Sequence, residues 1–118
     1  IYDLAKIAEM SRCFGCFGKN QILSESKINE LISIKNNISW QNNEAVRLFP
    51  NGNYRSNWYQ TGLKDKELCA IGIHGQWIWI NPIRKITIIK LSSRKQPLSL
   101  RLDYNFVQLC SAICRELQ

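Results

Sequence analysis

The chain has 118 residues, is 45% hydrophobic, and carries a net charge of +7 from 16 basic and 9 acidic side chains. That is enough for one small domain with a core of its own, and no apolar run reaches the roughly 18 residues that a membrane span requires. The basic residues are dispersed, with Arg84-Lys85 and Arg94-Lys95 as strand-flanking pairs. No arginine-rich run or RNA-binding aromatic signature accompanies them, so a solvated surface is expected rather than a nucleic-acid interface.

No charged leader precedes an apolar run, so no signal peptide is read and the cytoplasm is the default location. The five cysteines are Cys13, Cys16, Cys69, Cys110 and Cys114. An odd number argues against a disulfide framework. Cys13 and Cys16 match C-x-x-C, but Cys110 and Cys114 lie one helical turn apart and His74 is the only histidine. Zinc or any other metal is therefore not expected, nor is a cofactor, and the thiols read as buried small hydrophobes.

In chain order, residues 3–11 read as an amphipathic helix with Asp3 as its cap and Leu4, Ile7, Ala8 and Met10 as its apolar stripe. Gly15 and Gly18 end it, Lys19-Asn20 reads as a turn and residues 21–23 as a short extended piece. Ser24 or Ser26 caps a second helix in which Ile28, Leu31 and Ile32 share a face. Residues 35–53 form a long polar connection closed by the turn signal Pro50-Asn51-Gly52-Asn53, with Trp40, Leu48 and Phe49 pinning it to the core.

The second half changes character. Residues 54–60, 67–73, 76–81 and 85–91 read as strands whose short connections imply an antiparallel meander. In the third of these, Trp77 and Trp79 alternate with Ile78 and Ile80. Both faces of that strand are apolar, so both need cover. A basic loop over 92–101 leads to a last helix opened by Asp103, with Phe106, Leu109, Cys110, Ile113, Cys114 and Leu117 as its stripe. The expected fold class is α+β, in two layers. It consists of an antiparallel sheet of three to four strands with the C-terminal helix on one face. The two N-terminal helices lie on the opposite side or at a domain junction. A single unit is expected, divided into a helical part over 1–34, a loop over 35–53, and strands plus helix over 54–118.

The stretch Ile71-Gly72-Ile73-His74-Gly75-Gln76 joins two of these strands through a two-glycine kink. Glycine at this density inside strands marks a bulge or a close approach of something to the backbone.

The order of these segments resembles the C-terminal portion of a penicillin-recognising, class C β-lactamase-like serine hydrolase, nearest in pattern to the 6-aminohexanoate-dimer hydrolases. Asp3-Leu4-Ala5-Lys6-Ile7-Ala8 with Gly18-Lys19-Asn20-Gln21-Ile22-Leu23-Ser24 resembles the family's helix–turn–helix segment. Ile73-His74-Gly75-Gln76, the aromatic strand, Asn81-Pro82 and the strand ending in Ser92-Ser93 resemble its closing segment. The resemblance implies a partial β-lactamase/transpeptidase-like fold and hydrolysis of an amide or ester bond.

Such enzymes carry Ser-x-x-Lys for the nucleophile, a Tyr-x-Asn-type element for the base, and Lys/His-Thr-Gly on the strand edging the site. The third corresponds here to Ala70-Ile71-Gly72, which keeps only the glycine. That departure removes the side chains that hold a β-lactam carboxylate. The residue after this glycine supplies a backbone N–H to the oxyanion hole, and here it is Ile73, a role that survives side-chain change. Gly72 would leave room for substrate along the strand edge. His74 and Gln76 would line or brace the pocket wall, the alternative for His74 being a structural histidine beneath the bend.

In the family the nucleophile lies upstream of anything present here. Ser24-Glu25-Ser26-Lys27 and Ser92-Ser93-Arg94-Lys95 match Ser-x-x-Lys literally, and Tyr54-Arg55-Ser56 mimics the second motif. A working pair needs a buried helix start with a desolvated lysine, whereas Ser24 reads as an exposed cap. The expectation is an oxyanion-hole strand without its nucleophile, inactive alone. It would take a small amide or ester substrate once completed by an N-terminal fragment, or would self-associate through the uncovered strand over 86–91. A non-catalytic interaction module is the alternative, and a basic nucleic-acid binder a further one.

Overall fold

A computed structural model of the chain describes residues 1–35 and 38–117. Its centre is a five-stranded antiparallel meander preceded by a two-stranded hairpin. Helix α1 (Tyr2–Arg12) leads into the hairpin strands β1 (Cys16–Phe17) and β2 (Asn20–Gln21), and helix α2 (Glu25–Ile32) follows. The sheet strands are β3 (Asn53–Arg55), β4 (Trp58–Gln60), β5 (Leu68–Gly72), β6 (Gln76–Asn81) and β7 (Ile86–Lys90), in that spatial order. Helix α3 (Leu100–Glu116) closes the chain.

The two-sided strand positions everything else. On β6, Trp77 and Trp79 are buried with Cys69 of β5 and with Phe106, Val107, Cys110 and Cys114 of α3. The opposite face carries Ile80 with Leu68 of β5 and Ala8 of α1, flanked by Leu31 and Ile32 of α2. Helices thus cover both faces, and the two expected layers become three, because period-two alternation of apolar side chains makes two apolar faces that each need burial.

Several expectations shift in detail. The sheet has five strands rather than three to four, because residues 54–60 fold back on themselves as β3 and β4. Ser56 and Asn57 both take left-handed φ, 51° and 67°, the geometry of a tight hairpin turn. Asp3 does not cap α1: Ile1 precedes the first turn and no side-chain cap bond forms. Leu4 and Ile7 are substantially exposed, leaving Ala8 as the apolar residue that α1 buries fully. Ser24 sits at the start of α2, also without a side-chain cap bond. In α3 the cap is Ser99, whose hydroxyl accepts from the Leu102 N–H, and Asp103 turns inward instead. Val107 joins the buried stripe while Leu109 and Leu117 stay exposed.

The connection over 35–53, whose residues 36 and 37 lie outside the described residues, contains two short 3-10 turns, Ile38–Asn42 and Glu44–Arg47. It is pinned as expected by Trp40 and Phe49, both buried, with the Trp40 indole N–H donating to the Phe49 carbonyl at 3.0 Å. Gln60 on β4 donates to the carbonyls of Leu31 and Ser33, tying the end of α2 to the sheet. Among the described residues no helix is long and apolar enough to cross a membrane.

Candidate active site

Strands β5 and β6 pair in register from Leu68↔Ile80 to Gly72↔Gln76, and a 3-10 turn, Ile73–Gly75, joins them. On its other side β5 is only partly covered. Strand β4 pairs Tyr59 with Cys69 and Gln60 with Leu68, and among the described residues no strand pairs with residues 70–72 there. The end of β5 therefore presents a short bare edge beside the kink.

The two glycines have different reasons to be glycine. Gly75 lies at φ +80°, and a Cβ there would meet the Arg94 side chain at 3.1 Å. Its conformation strains any side chain, and the Arg94 side chain would have to give by a few tenths of an ångström to admit one. Gly72 has φ −105° and ψ 160°, ordinary extended backbone. A Cβ there would meet nothing closer than the Gln76 Cβ, at 3.4 Å. Nothing in the fold itself requires glycine at 72.

His74 holds the left-handed conformation, φ 60° and ψ 19°, which is costly for a residue with a Cβ. Two bonds hold it there: its backbone N–H donates to the Pro97 carbonyl at 2.8 Å, and its ring Nδ1 lies 2.9 Å from the Arg94 carbonyl. A carbonyl only accepts, so Nδ1 carries the hydrogen. His74 is half-buried, while Ile73 and Gln76 are exposed. The kink therefore brings Gly72, Ile73, His74 and Gln76 onto one turn, with His74 bracing it and Ile73 and Gln76 facing outward.

The brace comes from a residue read in the sequence as a plain turn arginine. Arg94 donates through Nε to the Gln96 carbonyl at 3.0 Å and through Nη1 and Nη2 to the two oxygens of Asp103 at 2.8 and 3.3 Å. The pair is nearly enclosed, with side-chain exposures of 11% and 10%. The loop before α3 is thereby clamped over the kink. The sequence trace of this clamp is a His-Gly pair followed some twenty residues later by Arg and then by Asp at a helix start.

A cleft of about 540 Å³ lies alongside, lined among others by Asn43, Glu44, Arg47, Tyr59, Ile71 and Ser99. The connection over 35–53 thus borders the same strand as the kink. Of the literal Ser-x-x-Lys matches, the first lies elsewhere and the second falls within the clamp. Ser24 is exposed with its hydroxyl 3.1 Å from that of Ser26, and Lys27, 72% exposed, pairs with Glu30 at 3.3 Å. Ser92 accepts from the Arg94 N–H at 3.3 Å, within the clamp. Tyr54 is partly exposed and packs on Tyr59 at 4.7 Å. No group of three or more metal-ligating side chains occurs among the described residues.

No family model matches the chain. Over 95 residues it is 28% identical to the 6-aminohexanoate-dimer hydrolase of Paenarthrobacter ureafaciens, a match covering 80% of this chain and 24% of that protein. A solved structure from Bacillus anthracis, provisionally named a 6-aminohexanoate-dimer hydrolase, superposes with a TM-score of 0.78 at 20% identity. That superposition covers 98% of this chain and 28% of the other. The chain therefore spans about a quarter of the length of each. In sequence over four fifths of its length, and in fold over nearly all of it, it is similar to one part of the 6-aminohexanoate-dimer hydrolases.

Proposed function

We propose that this chain is the C-terminal part of a serine hydrolase acting on amide or ester bonds, and that its contribution is the strand supplying half of an oxyanion hole. The observation that carries this is Gly72: it ends the bare edge of β5 in a conformation open to any residue, with no contact of the fold that needs it to be glycine. A position kept free of a side chain beside an unpaired strand edge suits a substrate lying along that edge. The backbone N–H of Ile73 then points its dipole at the carbonyl under attack. As acyl transfer proceeds that oxygen gains negative charge, and a fixed donor is worth about 3–4 kcal/mol in the transition state. The clamp of Pro97 and Arg94 on His74 keeps this donor from reorienting. Gln76 forms the outer wall, and the cleft bordered by residues of 35–53 takes the remainder of the substrate, a short linear amide by analogy with the named relatives.

The reading further holds that the nucleophile and its lysine come from an N-terminal piece and that the chain alone is inactive. The solvated, carboxylate-paired Lys27 supports this, since a lysine must be desolvated to accept a proton near neutral pH. The partner would complete the sheet at β7, which among the described residues pairs with β6 alone. A largely apolar groove of about 590 Å³ lies against α1 beside it, lined by Tyr2, Phe17, Thr87 and Ile89 among others. Exposed strand edges invite such pairing, with a second copy of the chain as the competing occupant.

Two measurements test the reading. A fluorophosphonate probe should leave the 118-residue chain unlabelled; labelling that disappears in Ser24→Ala would overturn the absence of a nucleophile. Grafted in place of the matching segment of the Paenarthrobacter enzyme, the chain should support hydrolysis. Ile73→Pro, which lacks the N–H, should then lower kcat about 10²–10³-fold while Ile73→Ala does not. Equal activity of the two variants would sink the assignment of Ile73.

A further inference from the structure

The turn between α1 and β1 lies outside the site proposed above and carries two sulfurs. Phe14 and Gly15 have φ of 53° and 89°, the values of a type I′ turn, and the Cys16 N–H donates to the Cys13 carbonyl at 3.1 Å. Gly15 is obligatory there, because a Cβ would lie 2.0 Å from the Leu23 carbonyl oxygen. The ends of a β-turn have Cα atoms within about 7 Å of each other, close to the span a disulfide bridges without moving backbone. The turn thus holds the two Cα atoms within the span that a disulfide bridges.

The surroundings of the two sulfurs differ. The Cys16 thiol donates to the Gln21 Oε1 at 2.8 Å and has no carboxylate against it. Cys13 Sγ lies 3.4 Å from the Glu9 carboxylate and accepts from the Arg12 guanidinium at 3.1 Å. Burial and the Glu9 carboxylate push the Cys13 thiol up, so it holds its proton longer. Both are half-buried, whereas Cys69, Cys110 and Cys114 are buried in the core. All five are free thiols.

We propose that Cys13 and Cys16 are a redox-active dithiol that a hydroperoxide converts into an intramolecular disulfide, with Cys16 as the attacking sulfur and Cys13 as the resolving one. In the first step the Cys16 thiolate attacks the peroxide: a sulfur–oxygen bond forms, the oxygen–oxygen bond breaks, and the departing oxygen leaves as water or an alcohol with the proton Cys16 gave up. In the second, the Cys13 sulfur attacks the sulfenic sulfur, the sulfur–sulfur bond forms and the sulfur–oxygen bond breaks. Hydroxide leaves as water with the proton from Cys13. The thiols lose two electrons and the hydroperoxide gains them. Arg12, 3.1 Å from the Cys13 sulfur, stabilises the thiolate that Cys13 becomes before it attacks.

The test is oxidation of the 118-residue chain with limiting hydrogen peroxide, followed by alkylation in denaturant without reductant, tryptic digestion and mass spectrometry. Cleavage after Arg12 and Lys19 leaves both sulfurs on residues 13–19. That segment should lose two hydrogens and take no alkyl groups, while Cys69, Cys110 and Cys114 are alkylated in full. Cys13→Ser should stop at a sulfenic acid on Cys16, trapped by dimedone. The wild-type chain oxidised in urea should close the bridge about tenfold more slowly, since the turn no longer holds the sulfurs together. Full alkylation of residues 13–19 after the core thiols have reacted would overturn the proposal. So would sulfinic acid at either cysteine without a bridge, or equal rates in folded and unfolded chain.

Discussion

Arg94 closes two nitrogens on the Asp103 carboxylate while its own backbone carbonyl holds the His74 ring. One residue thus ties the start of α3 to the kink between β5 and β6. Because the pair is nearly enclosed, removing one partner leaves a charge uncompensated. Arg94→Ala or Asp103→Asn should each destabilise the chain by about 3–5 kcal/mol in denaturant unfolding. The double variant Arg94→Met, Asp103→Leu should lose less than either single one. Hydrogen exchange at the His74 amide, now bonded to the Pro97 carbonyl, should accelerate beyond what the global loss accounts for.

The two kink glycines should respond oppositely to alanine. Gly75→Ala forces a Cβ into left-handed backbone and onto Arg94, and is expected to cost about 1–2 kcal/mol or more. Gly72→Ala meets only the Gln76 Cβ and should fall within about 0.5 kcal/mol of the parent. A matching pair of thermal melts decides this. In the grafted enzyme the order should reverse for substrate binding, with Gly72→Ala raising KM.

Around Asn81 the side chains Asp65 and Glu67 titrate in opposite senses. Burial raises the Glu67 carboxyl above its usual 4.5, while hydrogen bonds from Arg84 and Asn81 hold Asp65 below its usual 3.8. For Glu67 the native state binds the extra proton, so its contribution is full below pH 4.5 and is lost as pH rises through the raised value. For Asp65 the contribution is present above 3.8 and is lost as pH falls through the lowered value. Melting temperature against pH should therefore flatten above pH 4.5 in Glu67→Gln, which should be no less stable than the parent at neutral pH. Asp65→Asn should lose stability at neutral pH and lose little at the acid end.

Thr87 on β7 has a buried hydroxyl oxygen with no hydrogen-bond partner among the described residues. Valine has the same shape without the unpaired group, so Thr87→Val should stabilise the chain by about 1 kcal/mol. Ile89→Lys, placing a charge in the groove beside the same edge, should shift any associated species toward monomer in sedimentation.

Alternation made β6 legible to the residue: the strand predicted over 76–81 is observed as Gln76–Asn81, with a helix against each of its apolar faces. The reason is that period-two hydrophobicity is a local property which burial enforces. Where a position depended on distant partners, local reading failed. The Ser56-Asn57 reversal carries no glycine, so one strand was expected where two form. Asp103 looks like any helix-opening acid until Arg94 is placed beside it, and Ser99 takes the capping role instead. The kink was visible from its glycines, but only the three-dimensional contacts separate Gly75, fixed by its own φ and by Arg94, from Gly72, which the fold leaves free. The bare edge of β5 was not legible, because it arises from the short pairing of β4.

The clamp over the kink also orders events in time. Ile73 and His74 are synthesised well before Arg94, Pro97 and Asp103, the residues that hold them. As the chain leaves the ribosome from its N-terminus, β5 and β6 can pair while the turn between them remains untethered. Only when residues 94–97 have emerged can the His74 amide find the Pro97 carbonyl. The segment proposed to stabilise charge is thus set by residues that follow the sheet, after the sheet that carries it already exists.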